Sequence, residues 1–290
     1  MIYFNRFMWA MRKLSLPVSK NAIVLDVGSG GNPHPRSDVL LDRVLGAEHR
    51  SGAPMVIDRL TVLGDANKLP FKDKSFDYII ASHILEHMEN PEIFISELMR
   101  VGKAGYIETP NFICERLTPC LAHCLEIANI DGVLHINKKN NSIPDLFFAK
   151  TDFLNSNNKW KSLFHKDPFL FHTRYFWENE ITYKIFNPET KTNWINNIYD
   201  NSMTSEILTK SSINGLSWRS LGSFVYEFFQ KKRRYKRMEK FDIYSILACP
   251  ECKGDLEKIE MSLSCKKCNV EYATQPYINF DDKIFCLTDS

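Results

Sequence analysis

Short apolar segments that end at a polar or glycine residue recur through the first part of the chain. Strands are predicted at 24–27, 39–42 and 105–108; another lies with its turn in 62–66, and the run 75–80 leads into a further strand. Their length and their content of Val, Ile and Leu are typical of strands buried on both faces of a parallel sheet. Apolar residues three or four apart predict a helix over Glu92–Val101. Strands that alternate with helices in this way predict an α/β fold with a mostly parallel sheet.

The first predicted strand runs directly into a glycine-rich turn. Asp26 stands near its end, and Gly28 and Gly30 allow the backbone to approach a ligand closely. Dinucleotide-binding turns space their glycines G-x-G-x-x-G ahead of a helix N-terminus that holds pyrophosphate. Here the spacing is G-x-G-G, and Pro33 and Pro35 leave little room for a regular helix start. An acidic strand end without a phosphate cradle suits a positively charged nucleoside better than a dinucleotide.

The segment 26–30 resembles motif I of class I S-adenosylmethionine-dependent methyltransferases, although Asn32 stands at the usual third glycine. The same family is matched by GDA at 64–66, LPF at 69–71, SFD at 75–77 and SHILEH at 82–87. The resemblance covers residues 20–111 and implies a Rossmann-like, mostly parallel seven-stranded sheet that binds S-adenosylmethionine. In that family an acid at Asp42 holds both ribose hydroxyls, and Asp65 with the next backbone N–H contacts adenine. The cofactor contacts implied are Asp26, Gly28, Gly30, Asp42, Asp65, Ala66 and Ser82.

The residues after the fourth and fifth strands are the candidates for catalysis. Methyl transfer from a sulfonium is an in-line displacement, so the enzyme mainly aligns the reactants. Oxygen and protonated nitrogen acceptors also need a base. We expect His83 to be that base, with Glu108 as the second candidate. The alternative role for His83 is to start the local helix beside the cofactor. Glu86 and His87 are expected to serve that helix. Amide- and adenine-methylating relatives carry Asn-Pro-Pro-Tyr after the fourth strand, so Ser82–Leu85 disfavours that chemistry.

Four of the eight cysteines form two C-x-x-C pairs near the C-terminus, Cys249 with Cys252 and Cys265 with Cys268. Each pair can point two thiolates at one ion, and a closed set of four cysteines predicts structural zinc. Free thiols or a redox-active pair are the alternatives. Residues 244–280 resemble the small zinc-ribbon activator of tRNA, rRNA and release-factor methyltransferases. That activator is a separate subunit, whereas here the ribbon is fused, so we expect it to dock intramolecularly.

The bulk composition is that of an ordinary globular protein. The chain has 290 residues, 44% hydrophobic and 25% charged, with a net charge of +2, which favours no strongly acidic or basic partner. No run reaches the roughly 18 apolar residues of a membrane span. Arg6, Arg12 and Lys13 interrupt the apolar N-terminus, so we predict a short helix over 4–14 and no signal peptide. Paired cysteines indicate metal in a reducing compartment, which makes the cytoplasm the expected location.

These patterns predict two domains. A methyltransferase domain would cover 1–240, and a zinc ribbon would cover 241–290. We expect the closing antiparallel strands of the sheet at 169–186. The basic run at 231–237 predicts a surface helix or linker, with an RNA-binding stripe as the alternative.

The methyl acceptor stays open between classes. A small molecule or a sugar or glycan is favoured, because the charge is unbiased and no RNA-binding domain is evident. RNA or protein of the translation machinery is the alternative that the ribbon's relatives suggest. A non-catalytic cofactor-binding scaffold that acts through its ribbon is the third hypothesis.

Overall fold

The structure is a computed structural model, and its described part divides into two compact units that interleave along the chain. The described residues are 8, 16–46, 54–120, 122–140, 158–194, 218–281 and 283–285. Unit 1 comprises 1–17, 81–91 and 106–207, and unit 2 comprises 18–80, 92–105 and 208–290. The helix predicted over 4–14 lies outside the described residues, Met8 excepted. The predicted domain boundary between residues 240 and 241 stays a prediction.

Among the described residues, four strands precede the first α-helix. The strands are β1 (Val24–Val27), β2 (Val39–Asp42), β3 (Leu60–Leu63), β4 (Tyr78–Ser82), β5 (Ala104–Pro110), β6 (Leu125–Ile130), β7 (Val133–Lys138), β8 (His172–Glu178), β9 (Tyr183–Phe186), β10 (Glu257–Ile259), β11 (Ser262–Cys265), β12 (Val270–Ala273), β13 (Ile278–Asn279) and β14 (Lys283–Phe285). The α-helices are α1 (Pro91–Val101), α2 (Phe112–Leu117), α3 (Asn158–Lys166) and α4 (Trp218–Met238). Among the described residues, no helix combines the length and the apolar character that a membrane crossing requires.

The main sheet has seven strands in the order β13-β3-β2-β1-β4-β5-β8. The pairs β1–β2, β2–β3 and β3–β13 are parallel, which confirms the predicted mostly parallel α/β sheet. The strands expected at 169–186 do form, but they join different sheets. β8 lies at one edge of the main sheet, whereas β9 pairs with β7 in a three-stranded sheet of β6, β7 and β9. The seventh strand is instead β13, from the C-terminal segment.

The core of unit 2 forms where the apolar strands meet α1. All four residues of β1 are buried, and the side chains that α1 buries, such as Phe94 and Leu98, follow the predicted helical spacing. Gly102 follows the helix directly. A β-carbon there would lie 2.6 Å from the side chain of Ile79, so a larger residue would force Ile79 to move.

The C-terminal ribbon packs against the sheet within unit 2. Strand β13 pairs with β3 through Ile278 and Val62, and a β-bridge joins Leu247 to Phe71. Apolar positions of the ribbon segment are buried: Ile243, Leu247, Ile278 and Phe280. The Lys253 Nζ also lies 2.8 Å from Glu97 Oε2. The ribbon therefore supplies both an edge strand and buried apolar surface to unit 2.

The basic run at 231–237 lies within α4, so it is helical, but it is not wholly a solvated face. Arg234 is buried, and Arg237 Nη2 lies 2.6 Å from Oδ1 of the fully buried Asp38. Arg36 Nη1 lies 2.8 Å from Oδ2 of the same carboxylate. Part of the basic run therefore neutralises a buried acid.

Candidate functional site

The glycine turn of unit 2 is held by the carboxylate that ends β2. Gly28 and Gly30 have φ angles of 69° and 52°, a region that favours glycine. The Gly28 N–H donates to the Leu41 carbonyl at 2.8 Å, and the Gly30 N–H donates to Asp42 Oδ2 at 2.9 Å. The buried Ser29 Oγ has no hydrogen-bond partner within the described residues, so the turn carries an unsatisfied polar atom.

The other two predicted cofactor acids of unit 2 also accept backbone hydrogen bonds. Asp26 is buried and its Oδ2 accepts from the His34 N–H at 2.7 Å. Asp65 caps a short 3₁₀ helix, where its Oδ1 accepts from the Asn67 N–H at 2.8 Å, and Ala66 is buried next to it. The roles of these acids as cofactor contacts stay predictions.

The chemistry of this donor set fits S-adenosylmethionine. Asp42 and Asp65 are only partly buried and stand at the ends of the paired strands β2 and β3. Carboxylate oxygens accept hydrogen bonds from ribose hydroxyls, and their charge favours a cationic ligand. Ser29 offers a further hydroxyl in the same turn.

In unit 1 the structure brings the two predicted catalytic residues together. His83 follows Ser82 at the end of β4 and has a φ of 57°, an uncommon conformation for a residue with a side chain. Its Nε2 lies 3.7 Å from Glu108 Oε1, and its Nδ1 lies 3.4 Å from Glu86 Oε1. Burial disfavours the charged ring, but the nearby carboxylates of Glu108 and Glu86 outweigh it and raise the pKa of His83 to about 9. The imidazolium is therefore the form that these carboxylates stabilise.

Glu108 belongs to a polar chain that the sequence did not reveal. The Tyr106 hydroxyl donates to Glu108 Oε2, and Arg174 Nε donates to the Tyr106 oxygen at 3.0 Å. Burial and the Glu108 carboxylate raise the pKa of Tyr106 above its ordinary value. The Arg174 guanidinium also lies over the Phe169 ring, 4.7 Å from its centre. A positive charge is thus fixed among aromatic rings close to one predicted catalytic residue.

A cavity of about 380 Å³ adjoins this chain within unit 1. Its walls include Phe112, Phe169, His172 and Arg174. The His172 ring also contacts the His83 ring edge to face, with centroids 5.5 Å apart. The cavity lies in the range of small-ligand pockets, about 300–1,000 Å³, and it combines aromatic walls with one cation.

The four C-terminal cysteines converge as predicted. Their sulfur atoms all lie within 4.8 Å of one another, with 3.9 Å between Cys249 and Cys268 and 3.6 Å between Cys252 and Cys265. A tetrahedral zinc ion with bonds of about 2.3 Å needs sulfur atoms about 3.8 Å apart. The set therefore fits zinc, and four protein ligands leave no open position. None of the described cysteines forms a disulfide.

A second group of potential metal ligands was not foreseen. Ligand atoms of Glu86, His87 and His123 in unit 1 lie within 4.8 Å of one another. The adjacent Glu86 and His87 could have drawn attention in the sequence, but nothing there indicates that His123 joins them.

Comparisons with known proteins support both parts of the chain. Residues 37–107 match the family model of the methyltransferase domain, and residues 240–273 match that of Trm112p-like proteins. These matches confirm the two resemblances seen in the sequence: the chain carries a methyltransferase domain and a C-terminal Trm112-like domain.

Similar proteins match over short stretches. The chain is 36% identical over 89 residues to demethylmenaquinone methyltransferase of Renibacterium salmoninarum, covering 28% of this chain and 37% of that protein. It is 40% identical over 43 residues to ajmaline N-methyltransferase of Rauvolfia serpentina, covering 15% of each. The match thus spans 37% or less of either relative. Among solved structures, the chain is similar to a complex between the Haloferax volcanii Trm112 methyltransferase activator and a methyltransferase. The aligned region covers 61% of this chain and 89% of the matched chain, at 15% identity and a TM-score of 0.37.

Proposed function

We propose that the chain is an S-adenosylmethionine-dependent methyltransferase whose acceptor is a small molecule or a sugar. The observation that carries the proposal is the glycine turn of unit 2, tied to the acid that ends the neighbouring strand. Asp42, Asp65 and His83 all fall inside the region that matches the methyltransferase family.

The donor residues act mainly by orientation. Asp42 would accept hydrogen bonds from the ribose hydroxyls while it keeps the Gly30 N–H in place. Asp65 and the N–H of Ala66 would hold adenine, and Asp26, Gly28, Gly30 and Ser82 would complete the contacts. When bound, S-adenosylmethionine would supply a methyl group on a positively charged sulfur.

The cavity in unit 1 supports the proposed acceptor class. A volume of about 380 Å³ suits a small molecule, and Arg174 supplies a positive charge at its wall. We therefore favour an acceptor with an anionic group, such as a carboxylate or a phosphate, which guanidinium groups bind well. Aromatic walls would pack against its apolar or ring portion.

Glu108 is the residue proposed to receive the acceptor's proton, or His83 once it has lost its own proton, which requires a pH near or above its pKa of about 9. Glu108 is kept in position by Tyr106, and His83 by its two carboxylates. Replacing His83 or Glu108 by Gln should lower kcat while cofactor affinity changes little. The expected loss is about 10²–10⁴-fold where a base is required.

A labelling experiment tests the acceptor class. Purified protein is incubated with methyl-labelled S-adenosylmethionine and cell extract separated into small molecules, RNA and protein. We expect label in the small-molecule fraction. Arg174→Gln should then raise KM by about 10- to 100-fold, the scale of a charge-assisted hydrogen bond. The exposed Lys184, also in unit 1, gives the control variant Lys184→Gln, which should behave as the wild type.

The Trm112-like match favours one other candidate, RNA or protein of the translation machinery as acceptor. Label confined to RNA or protein would establish that class and exclude the small molecule. Cofactor binding without any labelled product would favour the non-catalytic scaffold. Failure to bind S-adenosylmethionine would refute all three. We expect the protein to act in the cytoplasm, because a four-thiolate site needs reduced cysteines.

A further inference from the structure

Among its described residues, unit 1 contains a compact group of nitrogen and oxygen donors, of which only Glu86 contacts a residue of the proposed methyl transfer, His83. Glu86 and His87 lie in a short 3₁₀ helix, and the Cys124 N–H donates to the Glu86 carbonyl at 2.9 Å. This hydrogen bond holds the segment that carries His123 against the helix. The His87 and His123 rings meet edge to face with centroids 4.7 Å apart. One ligand atom from each of Glu86, His87 and His123 can therefore lie within 4.8 Å of the others.

The hydrogen bonds of the two histidines orient them as metal ligands. His87 Nδ1 lies 2.7 Å from the Ala122 carbonyl, which can only accept, so Nδ1 carries the proton. His123 Nδ1 contacts the Glu115 carboxylate. In a neutral ring of this tautomer the lone pair is on Nε2. A backbone carbonyl or carboxylate on the second nitrogen is the usual arrangement around metal-bound histidine.

The Glu86 carboxylate is the second, independent observation. It is 1% exposed, and neither of its oxygens has a hydrogen-bond partner among the described residues. Its closest charged contact is His83 Nδ1 at 3.4 Å. Burial of a carboxylate without hydrogen bonds is costly, and buried charges are normally paired or coordinate metals. A cation between Glu86 and the two rings would satisfy this group.

From this geometry we propose that Glu86, His87 and His123 bind a divalent transition-metal ion, separate from the four-cysteine centre. Two imidazoles and one carboxylate suit zinc, iron(II), cobalt(II) or manganese(II) rather than calcium. Three protein ligands leave at least one position open to water or to a substrate oxygen.

Cobalt(II) titration of the full-length, zinc-loaded protein tests the site. With zinc in the ribbon, added cobalt should bind about one equivalent per chain and give visible d–d absorption without a strong thiolate charge-transfer band. His87→Gln and His123→Gln should abolish this binding. His135→Gln is the matched control, because His135 also contacts a backbone carbonyl but lies outside the group, and it should bind as the wild type.

Glu115→Gln keeps the proposed ligands and removes the carboxylate charge that lies behind His123 and also pairs with Lys139. It should weaken cobalt binding by about 10- to 100-fold without abolishing it, as loss of an outer-shell partner does. This variant decides the matter if the histidine variants fail to fold. The proposal is overturned if wild type binds no cobalt beyond the ribbon, if the absorption is that of a thiolate site, or if Glu115→Gln and both histidine variants bind like His135→Gln.

Discussion

Truncating one aromatic side chain should separate the docking of the ribbon from its zinc-dependent folding. Phe280 is 4% exposed, and its ring packs on Tyr272 with centroids 4.8 Å apart. Its N–H donates to the Leu63 carbonyl at 2.8 Å, and its β-carbon would lie 3.7 Å from a β-carbon built on Gly64. Phe280→Ala keeps the backbone hydrogen bond but leaves a cavity, which costs about 3–5 kcal/mol. For a protein of this size the melting temperature should fall by about 6–20 °C.

The assay is a thermal melt combined with a zinc determination. Met261→Ala is the control, because Met261 lies in the same ribbon but is 61% exposed, and it should change stability by less than about 0.5 kcal/mol. Phe280→Ala should retain its zinc, since the four cysteines are unchanged. It should also bind S-adenosylmethionine more weakly, because Phe280 packs beside Gly64, which directly precedes the proposed adenine contact Asp65. An unchanged melting temperature in Phe280→Ala would refute the view that this contact stabilises unit 2.

Three further predictions use the same purified protein. Asp42→Ala should weaken S-adenosylmethionine binding by about 1.5–3 kcal/mol, because charge-assisted hydrogen bonds are lost; calorimetry that shows equal affinity would contradict the ribose assignment. Arg237→Ala should destabilise the protein by about 1.5–3 kcal/mol, since the buried Asp38 loses one of its two ion pairs, whereas the exposed Lys236→Ala should not; equal urea midpoints would show that the buried pair is not stabilising. Removal of zinc by a chelator should unfold the ribbon and increase the binding of a hydrophobic dye; unchanged dye binding would argue against the zinc-dependent ribbon.

Much of the main sheet could be predicted because its determinants are local. The segments 24–27 and 39–42 match β1 and β2 residue for residue, since each is a short apolar run ended by a turn or an acid. The strand expected from the run 75–80 begins later, at Tyr78, because Phe76 forms only an isolated β-bridge with Gly102 and Asp77 lies in a bend. The four-cysteine centre could be predicted equally well, because the spacing of the two C-x-x-C pairs brings the thiolates together.

Long-range pairings could not be predicted in the same way. Arg237 is 199 positions from its partner Asp38 in the sequence. The density of charged residues at 231–237 predicted a solvent-exposed helix or linker. His123 joins Glu86 and His87 only through the tertiary fold. The strand β13 contains just two residues, too few for any periodicity to show.

The short strand β13 gives a physical reason for the attachment of the ribbon to the main sheet. Without it, β3 would be the edge of a parallel sheet, with unpaired backbone groups that favour aggregation. Phe280 directly follows β13, and its N–H donates a hydrogen bond to the Leu63 carbonyl. Leu63 is followed in the sequence by Gly64 and then by Asp65, the proposed adenine contact. The ion pair of Lys68 with Glu251, at 2.9 Å, attaches the far side of the same turn to the first cysteine pair. Zinc binding, closure of the sheet edge and the position of Asp65 therefore depend on one continuous set of contacts in unit 2. Because coupling between two ligands is reciprocal, zinc in the ribbon should strengthen cofactor binding by the same factor as the cofactor strengthens retention of zinc.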